Sequence, residues 1–490
     1  MTPPPRAAAG PLAALGLAAL LAGCASMAPP YQRPPAPVPA QFPDAGAAPA
    51  GAPAEAAADI PWPQFFADPR LRRLIGTALQ NNRDLRVAAL NIEQAQAQAA
   101  LRDADRWPTL GAGVTGLRQP NGNGGINSVY TAGLQLSSYE LDLFGRLRSL
   151  GDAAAAQVLA SAEARKAVQI GLVASVAGGW FALQADDALL QLTQRTLATR
   201  IESARLTQLR YDHGAASELD LQAAVALREA ARVALAQQTR QRAQDENALA
   251  LLLGQPVPAD ALPTAAAVAS TSSDRAGPAP EPALTTLPTL PDLPPGLPAS
   301  VLTRRPDVRQ AELQLVAANA NIGAARAAFF PRITLTGSAG SASNALAALF
   351  KAGSFAWSAA PQALATVFDA GRNRANLKLA EVGREIALAQ YERAIQSAFR
   401  EVADALAGRA TLQQQLQAQQ AQVQAQQALV RLTALRYSNG AASALDLLDA
   451  QRVLFTAQQA AVQVQALVAQ NGVTLYRVLG GGWAPGAALP

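Results

Sequence analysis

The sequence predicts a mainly α-helical subunit with a smaller β part suited to a membrane, internally duplicated from one plan. Three observations carry that expectation. Leu183, Leu190, Leu197 and Ala204 fall seven residues apart within a helical pattern running from about Arg146 to Tyr211. Tyr130, Ala132, Leu134 and Leu136 alternate with Thr131, Gly133, Gln135 and Ser137. The whole order of elements then recurs further along the chain at a nearly constant offset. Seven-residue spacing belongs to supercoiled helix pairs, and some 60 residues at ~1.5 Å each make roughly 90 Å of helix, longer than a compact domain is wide. Alternation with a period of two marks a strand with one apolar and one polar face, as a barrel wall in a bilayer requires.

The chain opens with Arg6 and an apolar run from Ala7 to Leu21, ending in Leu21-Ala22-Gly23-Cys24. A run of that length is too short to span a bilayer and suits a secretory signal over residues 1–23. The last four residues resemble the bacterial lipobox, which implies that Cys24 is lipidated and becomes the mature N-terminus; Ala25 after it favours outer-membrane sorting. Cys24 is the only cysteine, so no intramolecular disulfide is available. Residues 24–60 are rich in Pro and Ala and are expected to form an extended tether from lipid to body.

A first repeat is expected over residues 61–254. Asp68 followed by Pro69 signals a helix start, with Leu71, Leu74, Ile75, Ala78 and Leu79 on one face. A second helix runs from Leu85 to about Asp105 and stops at Trp107-Pro108. Strands are expected at about 109–118 and 129–140, with the Gly/Asn-rich stretch from Gln119 to Ser128 between them. The long helix then reaches a tip at 210–221, R-Y-D-H-G-A-A-S-E-L-D-L, and a return helix runs to about Leu253. Residues 255–300, rich in Pro, Ala and Thr, are expected to be a linker wrapping the outside of the body.

Residues 301–482 repeat the plan. Asp84 maps to Asp307 (307 − 84 = 223), and Trp107-Pro108 to Phe330-Pro331 at the same offset. Arg146 maps to Arg372 and Tyr211 to Tyr437, both at an offset of 226. Strands are expected at about 332–341 and 355–368, the latter interrupted by Pro361, and the second tip at 436–452, R-Y-S-N-G-A-A-S-A-L-D-L-L-D-A-Q-R. Residues 483–490 form a tail. Agreement of offset and element order throughout marks a two-fold duplication.

Inventory limits the function. His213 is the only histidine, and its repeat counterpart is Asn439. There is no phosphate-binding loop motif, no zinc spacing and no catalytic dyad, so the chain is not expected to be an enzyme or to carry a metal or other cofactor. The formal charge of +5 is dispersed rather than clustered, which argues against nucleic acid as a partner.

The lipobox, the W-x-x-F-F-x-D-P-x-L segment from Trp62 to Leu71, the R-R-P-D-V from Arg304 to Val308 and the paired R-Y-x-x-G-x-x-S-x-L-D tips resemble the outer membrane factor family, the TolC/OprM-like group that includes NodT-type lipoproteins. The resemblance implies a trimeric α-helical barrel joined to a shared outer-membrane β-barrel, four strands per chain. It further implies a homotrimer that passively conducts small molecules from an inner-membrane RND-type pump, through a periplasmic adaptor, across the outer membrane. Type I protein secretion through the same architecture, and a non-conducting lipid-anchored coiled-coil scaffold, are the alternatives.

Carried over residue by residue, the resemblance places a periplasmic gate in the second tip. Leu445 and Asp449 would form apolar and carboxylate rings. Tyr437 and Arg452 would bond across neighbouring helices to hold the closed state, and Asp446, with its repeat counterpart Asp220, would contribute. The first tip has Ala223 and Ala226 where the second has Asp449 and Arg452, which assigns the constriction to the second tip alone. Gly214, Ser217, Gly440 and Ser443 would form the notch that receives the adaptor. Plain chemistry offers another reading of the same residues: Ser217 and Ser443 as helix caps with acidic first turns, and the glycines as left-handed turn residues.

Overall fold

The computed structural model describes residues 27–43, 60–120, 122, 124–262 and 299–481. The signal segment, Cys24, most of the 255–300 linker and the 483–490 tail lie outside the described residues. Helices α1 (Trp62–Phe65), α2 (Pro69–Asn81) and α3 (Arg83–Ala104) precede strands β1 (Leu110–Pro120) and β2 (Ile126–Leu141). The first long hairpin follows as α4 (Arg146–Asp212) and α5 (Glu218–Leu253). Then come α6 (Pro306–Ala327), β3 (Arg332–Ser343), β4 (Phe355–Leu364), and the second hairpin, α7 (Arg372–Ser438) and α8 (Ala444–Val478). Duplication is visible in the bounds: α3 maps onto α6 at an offset of 223 at both ends (306 − 83 and 327 − 104), and α4 onto α7 at 226 (372 − 146 and 438 − 212).

The described chain divides into two compact units. One holds residues 27–36, 89–163 and 309–394, and with them the sheet. Its four strands pair antiparallel in the order β1-β2-β3-β4. The register lines up the apolar side chains across the sheet: Val114 faces Ala132, Leu110 faces Leu136, and Ala339 sits between Leu134 and Trp357. The opposite face is polar, with the Thr115 and Thr131 hydroxyls 2.6 Å apart and the Ser338 and Ser358 hydroxyls 2.8 Å apart. A bulge between Leu136 and Tyr139, with Ser138 at φ 51, adds a residue and so keeps Tyr139 and Leu141 on the apolar face. Leu110, Val114, Leu134 and Trp357 are all more than half exposed on that face.

The fourth strand, expected over 355–368, ends at Leu364. Beyond it the chain turns to cap α7: Asp369 accepts from the Gly371 and Asn373 amides at 2.9 Å each, with Ala370 at φ 53, a geometry that no strand can hold. Pro361 lies within β4 opposite Leu335 without shifting the register, as an edge strand permits. β1 runs to Pro120 and β2 begins at Ile126, so both strands extend into the stretch expected as a loop over 119–128.

In the same unit the sheet joins its helices through one buried carboxylate. Glu140, near the end of β2, accepts two 2.8 Å bonds from Arg146, the first residue of α4, and one of 2.5 Å from Arg332, the first residue of β3. The Pro-rich N-terminal stretch is not a free tether over its described part. It runs antiparallel along α6: Met27 faces Arg326, the Pro29 carbonyl accepts from Asn319 at 2.7 Å, and Arg33 makes a two-pronged pair with Glu312 at 2.6 and 2.9 Å. A Cβ on Gly323 would stand 2.7 Å from the Ala28 amide nitrogen and 2.6 Å from Ser149 Oγ, so the strap lies this close only because residue 323 has no side chain.

The second unit holds residues 37–43, 60–88, 164–262, 299–308 and 395–481. Its core explains the W-x-x-F-F-x-D-P-x-L segment. Phe65 and Phe66 are buried, Phe65 stacks on Tyr476 at 3.9 Å, and Tyr476 donates to the Ile60 carbonyl at 2.6 Å. Asp68 caps α2 by accepting from the Arg70 and Leu71 amides. Phe42 is buried against Phe399, so the tether contributes to this core too.

The two repeats solve one problem with different chemistry. Each return helix ends with carbonyls that lack intrahelical partners. In the first repeat Asn82 donates to the Leu252 carbonyl at 2.9 Å; in the second Arg305 donates to the Val478 carbonyl at 3.0 Å, the same position 226 residues on (478 − 252). Arg305 is 6 % exposed and also binds Asp307 at 2.6 Å and Glu401 at 3.0 Å, which makes the R-P-D-V segment a clasp on α7 and α8. Arg305→Ala is expected to cost about 2–3 kcal/mol, because the buried Val478 carbonyl loses a charged donor and the partly exposed Asp307 and Glu401 lose their shared cation. Asn82→Ala should cost only about 1–2 kcal/mol, two neutral hydrogen bonds, because Asn82 Oδ1 also accepts from the Leu85 amide at 2.9 Å. Thermal melting of the helical signal checks the order of the two variants.

Candidate functional site: the two hairpin tips

Both tips use the same turn. In the first, the Gly214 amide donates to the Tyr211 carbonyl and the Ala215 amide to the Arg210 carbonyl; in the second, Gly440 and Ala441 donate to Tyr437 and Arg436. This double closure needs a left-handed residue, and Gly214 (φ 70) and Gly440 (φ 72) supply it. Ser217 and Ser443 then start α5 and α8 as reciprocal caps. Ser443 Oγ accepts from the Asp446 amide at 3.1 Å, while Asp446 Oδ2 accepts from the Ser443 amide at 2.9 Å and hydroxyl at 2.8 Å. Ser217 and Asp220 repeat the arrangement. The Ser443 hydrogen bonds hold the Asp446 carboxyl below its ordinary range. Capping therefore accounts for Asp446 and Ser443 by itself, and all four of Gly214, Ser217, Gly440 and Ser443 are exposed.

Leu445, Asp449 and Arg452 lie at i, i+4 and i+7 on α8, one face of the helix. They are 57 %, 57 % and 59 % exposed. Leu448, on the other side, is buried against Ala204 of α4 and Ala224 of α5. The second tip thus leans on the first hairpin through Leu448 and presents an apolar and charged stripe on its free side.

Arg452 does not reach a neighbouring helix within this chain. Its Nη2 donates to Asp449 Oδ1 at 2.6 Å, three residues back on α8. At that exposure such a pair contributes little to stability, but it orients both groups. Tyr437 does bond across helices: its hydroxyl accepts from Arg210 Nη1 at the end of α4, and the Arg210 guanidinium sits 5.6 Å from the Tyr437 ring centroid. The quasi-equivalent contact is not made, because Arg436 instead donates to the Ala441 carbonyl of its own turn at 3.1 Å.

Sequence reasoning missed two members of this site. Arg210 stood in plain view in the first R-Y motif, yet only the fold assigns it to the other tip's tyrosine. Arg200 is 5 % exposed and donates to Gln451 Oε1 at 2.6 Å, a second link from α4 to α8. Burial without a carboxylate holds its guanidinium below the usual arginine range. Its signal was a charge three residues after the heptad position Leu197, where the paired core position of a supercoil falls. Among the described residues no cluster of His, Cys, Asp and Glu has the geometry of a metal site.

A family model described as "Outer membrane efflux protein" matches residues 74–255 and 297–481, most of the chain in two blocks that follow the duplication. This chain belongs to that family. The solvent efflux pump outer membrane protein SrpC of Pseudomonas putida is 45 % identical over 475 residues, 95 % of this chain and 97 % of the relative. A crystallised membrane protein from Pseudomonas aeruginosa matches with a TM-score of 0.81 at 42 % identity, covering 93 % of this chain and all of that one. The open state of the MtrE outer membrane channel of Neisseria gonorrhoeae matches with a TM-score of 0.80 at 39 % identity, covering 94 % of this chain and 98 % of that one. The fold is therefore that of the TolC-like outer-membrane channels, and this outer membrane efflux protein resides in the outer membrane as a component of an efflux pump.

Within the second tip, Ser443→Ala is expected to cost about 1 kcal/mol through loss of the cap. Gly440→Ala is expected to cost about 1–2 kcal/mol through left-handed strain. Circular dichroism melts read both, and the Asp446 carboxyl should rise toward its ordinary range in Ser443→Ala.

Proposed function

We propose that this outer membrane efflux protein assembles as a homotrimer and passively conducts small apolar solvents and drugs out of the cell. Energy comes from an inner-membrane RND-type pump, reached through a periplasmic adaptor that docks on the exposed tips around Gly214, Ser217, Gly440 and Ser443. The observation that carries this reading is the four-stranded sheet with an apolar face and two unpaired edges, β1 and β4. Bilayer lipid cannot satisfy free main-chain donors and acceptors, so such a sheet spans a membrane only inside a closed barrel. Three copies give roughly 12 strands, an even number within the bacterial range. The polar ladder of Thr115, Thr131, Ser338 and Ser358 would then line water. SrpC is named for solvent efflux, and that substrate class suits a duct needing no specific binding groups.

Lipidation of Cys24, after removal of residues 1–23, fits the described strap: Met27, three residues later in the chain, is held by Arg326, six residues before β3 begins. The anchor would thus sit at the membrane end of the sheet.

The gate is the stripe on α8. In a closed trimer three copies of Leu445 form an apolar constriction and three copies of Asp449 a carboxylate ring, which favours cations. The Arg210–Tyr437 bond and the Arg200–Gln451 bond hold the second hairpin against the first. Opening swings the second tip outward once these bonds break, a shift between two populations driven by the adaptor.

Single-channel recording of the purified full-length protein in a planar bilayer tests the reading. The wild type should give small, cation-preferring steps, and the Leu445→Ala/Asp449→Ala variant larger and less selective ones. Wild-type steps unchanged in the variant would discard the gate while leaving the channel. Correctly assembled protein that never conducts would discard the channel.

A further inference from the structure

Part-way along the first hairpin, α4 and α5 meet through carboxylates. Asp186 and Asp187 are 6 % and 8 % exposed. Asp187 has a cation: Arg242 Nε donates to its Oδ1 at 2.5 Å, and Arg242 Nη1 donates to Glu246 at 2.8 Å. One guanidinium is therefore shared by two carboxylates. Asp186 has none. Gln238 Nε2 donates to its Oδ1 at 2.9 Å, and its Oδ2 is buried without a donor. Asp245 follows Gln238 and Arg242 at i+7 and i+3, on the face of α5 that meets Asp186 and Asp187, and neighbours Asp186; its own donor is Gln241 Nε2, 3.2 Å from each oxygen.

Among the described residues the groups facing Asp186 are thus negative or neutral. Asp245 and Gln238 face it from α5, Asp187 adjoins it on α4, and at this level α8 packs Val462 and Ala466 against Ala185 and Leu189, with the buried, uncharged Gln465 between them in sequence. Two ionised carboxylates are acceptors only and cannot bond to each other. One proton between them turns repulsion into a short hydrogen bond and supplies the buried Oδ2 with the partner it lacks.

We propose that Asp186 and Asp245 share one proton, which clamps α4 to α5, and that loss of this proton loosens the first hairpin. The geometry is supported by electrostatics: burial first, then the neighbouring Asp245, push the Asp186 carboxyl up to about 7. Burial also raises Asp187, against the opposing pull of Arg242. The clamp belongs to one hairpin only. At the 226 offset the second hairpin has Leu412 and Asn471, and Asn471 donates to the Ala405 carbonyl at 3.0 Å with no carboxylate involved.

A group whose pKa is raised by folding contributes stability that is complete below its unfolded value and disappears as pH rises through its folded value. The hairpin should therefore be stiffest in mild acid and loosen across neutrality. The test is infrared titration of the full-length protein, reading the carbonyl stretch of a protonated carboxyl, beside thermal melts over the same pH range. Wild type should show a protonated-carboxyl band that titrates with a midpoint near neutrality, and a melting temperature that falls as pH rises through that midpoint. Asp186→Asn and Asp245→Asn should each abolish the band. Asp186→Asn, whose amide donates at every pH, should also remove the pH dependence of melting. The proposal is overturned if the wild type has no such band, if the band persists in both variants, or if Asp186→Asn keeps the wild-type slope. None of these readouts depends on conduction.

Discussion

A four-stranded sheet with an apolar face leaves two edges of main-chain donors and acceptors unpaired, and nothing in a hydrocarbon layer can satisfy them. Most of this subunit follows from that constraint. In the proposed trimer the strands are completed by other copies, and the helices attached to them pack with neighbours as well as with each other. The long helices accordingly keep apolar residues on exposed faces, such as Leu429, Leu432 and Leu435 near the second tip. The junction between strand and helix cannot rely on a globular core. It rests on Glu140, whose carboxylate ties the end of β2 to the first residues of α4 and β3.

Duplication supplies the architecture, and departures from it supply the individuality of each half. Asn82 and Arg305 reach equivalent carbonyls, but only the arginine also gathers Asp307 and Glu401. Arg210 reaches Tyr437 across the hairpins, whereas Arg436 closes its own turn. Along α4, Asp186, Thr193 and Arg200 recur every seven residues and are all buried, a polar seam beside the apolar one of Leu183 and Leu190. Burying polar groups in a supercoil costs stability and fixes register and partner. Here each polar group finds a different solution: Asp186 a second carboxylate, Thr193 its own helix carbonyl at 2.7 Å, Arg200 the Gln451 amide of the other hairpin.

Much of this was legible in the sequence, for identifiable reasons. Period two and period seven are direct consequences of strand and supercoil geometry, so the four strands and two hairpins could be read from side-chain spacing alone. The caps at Asp68, Ser217 and Ser443 and the left-handed Gly214 and Gly440 are local events, encoded within a few residues. Long-range contacts were not legible. Nothing local says that Arg210 meets Tyr437, that Arg452 folds back on Asp449 rather than reaching outward, or that residues 27–33 lie along α6. β4 ends at Leu364, short of the expected 368, because Asp369 and Gly371 commit the chain to a helix cap.

In the proposed gate, contact between the two tips of one subunit holds the duct closed. Cys24 is the sole cysteine, so a cysteine pair placed at positions 210 and 437 can be cross-linked without competition once Cys24 is acylated. Conductance of that variant, recorded first cross-linked and then after cleavage of the link in the same bilayer, tests the claim most directly. Steps should be small while the link is intact and larger once it is cleaved. Equal conductance in the two states would contradict it.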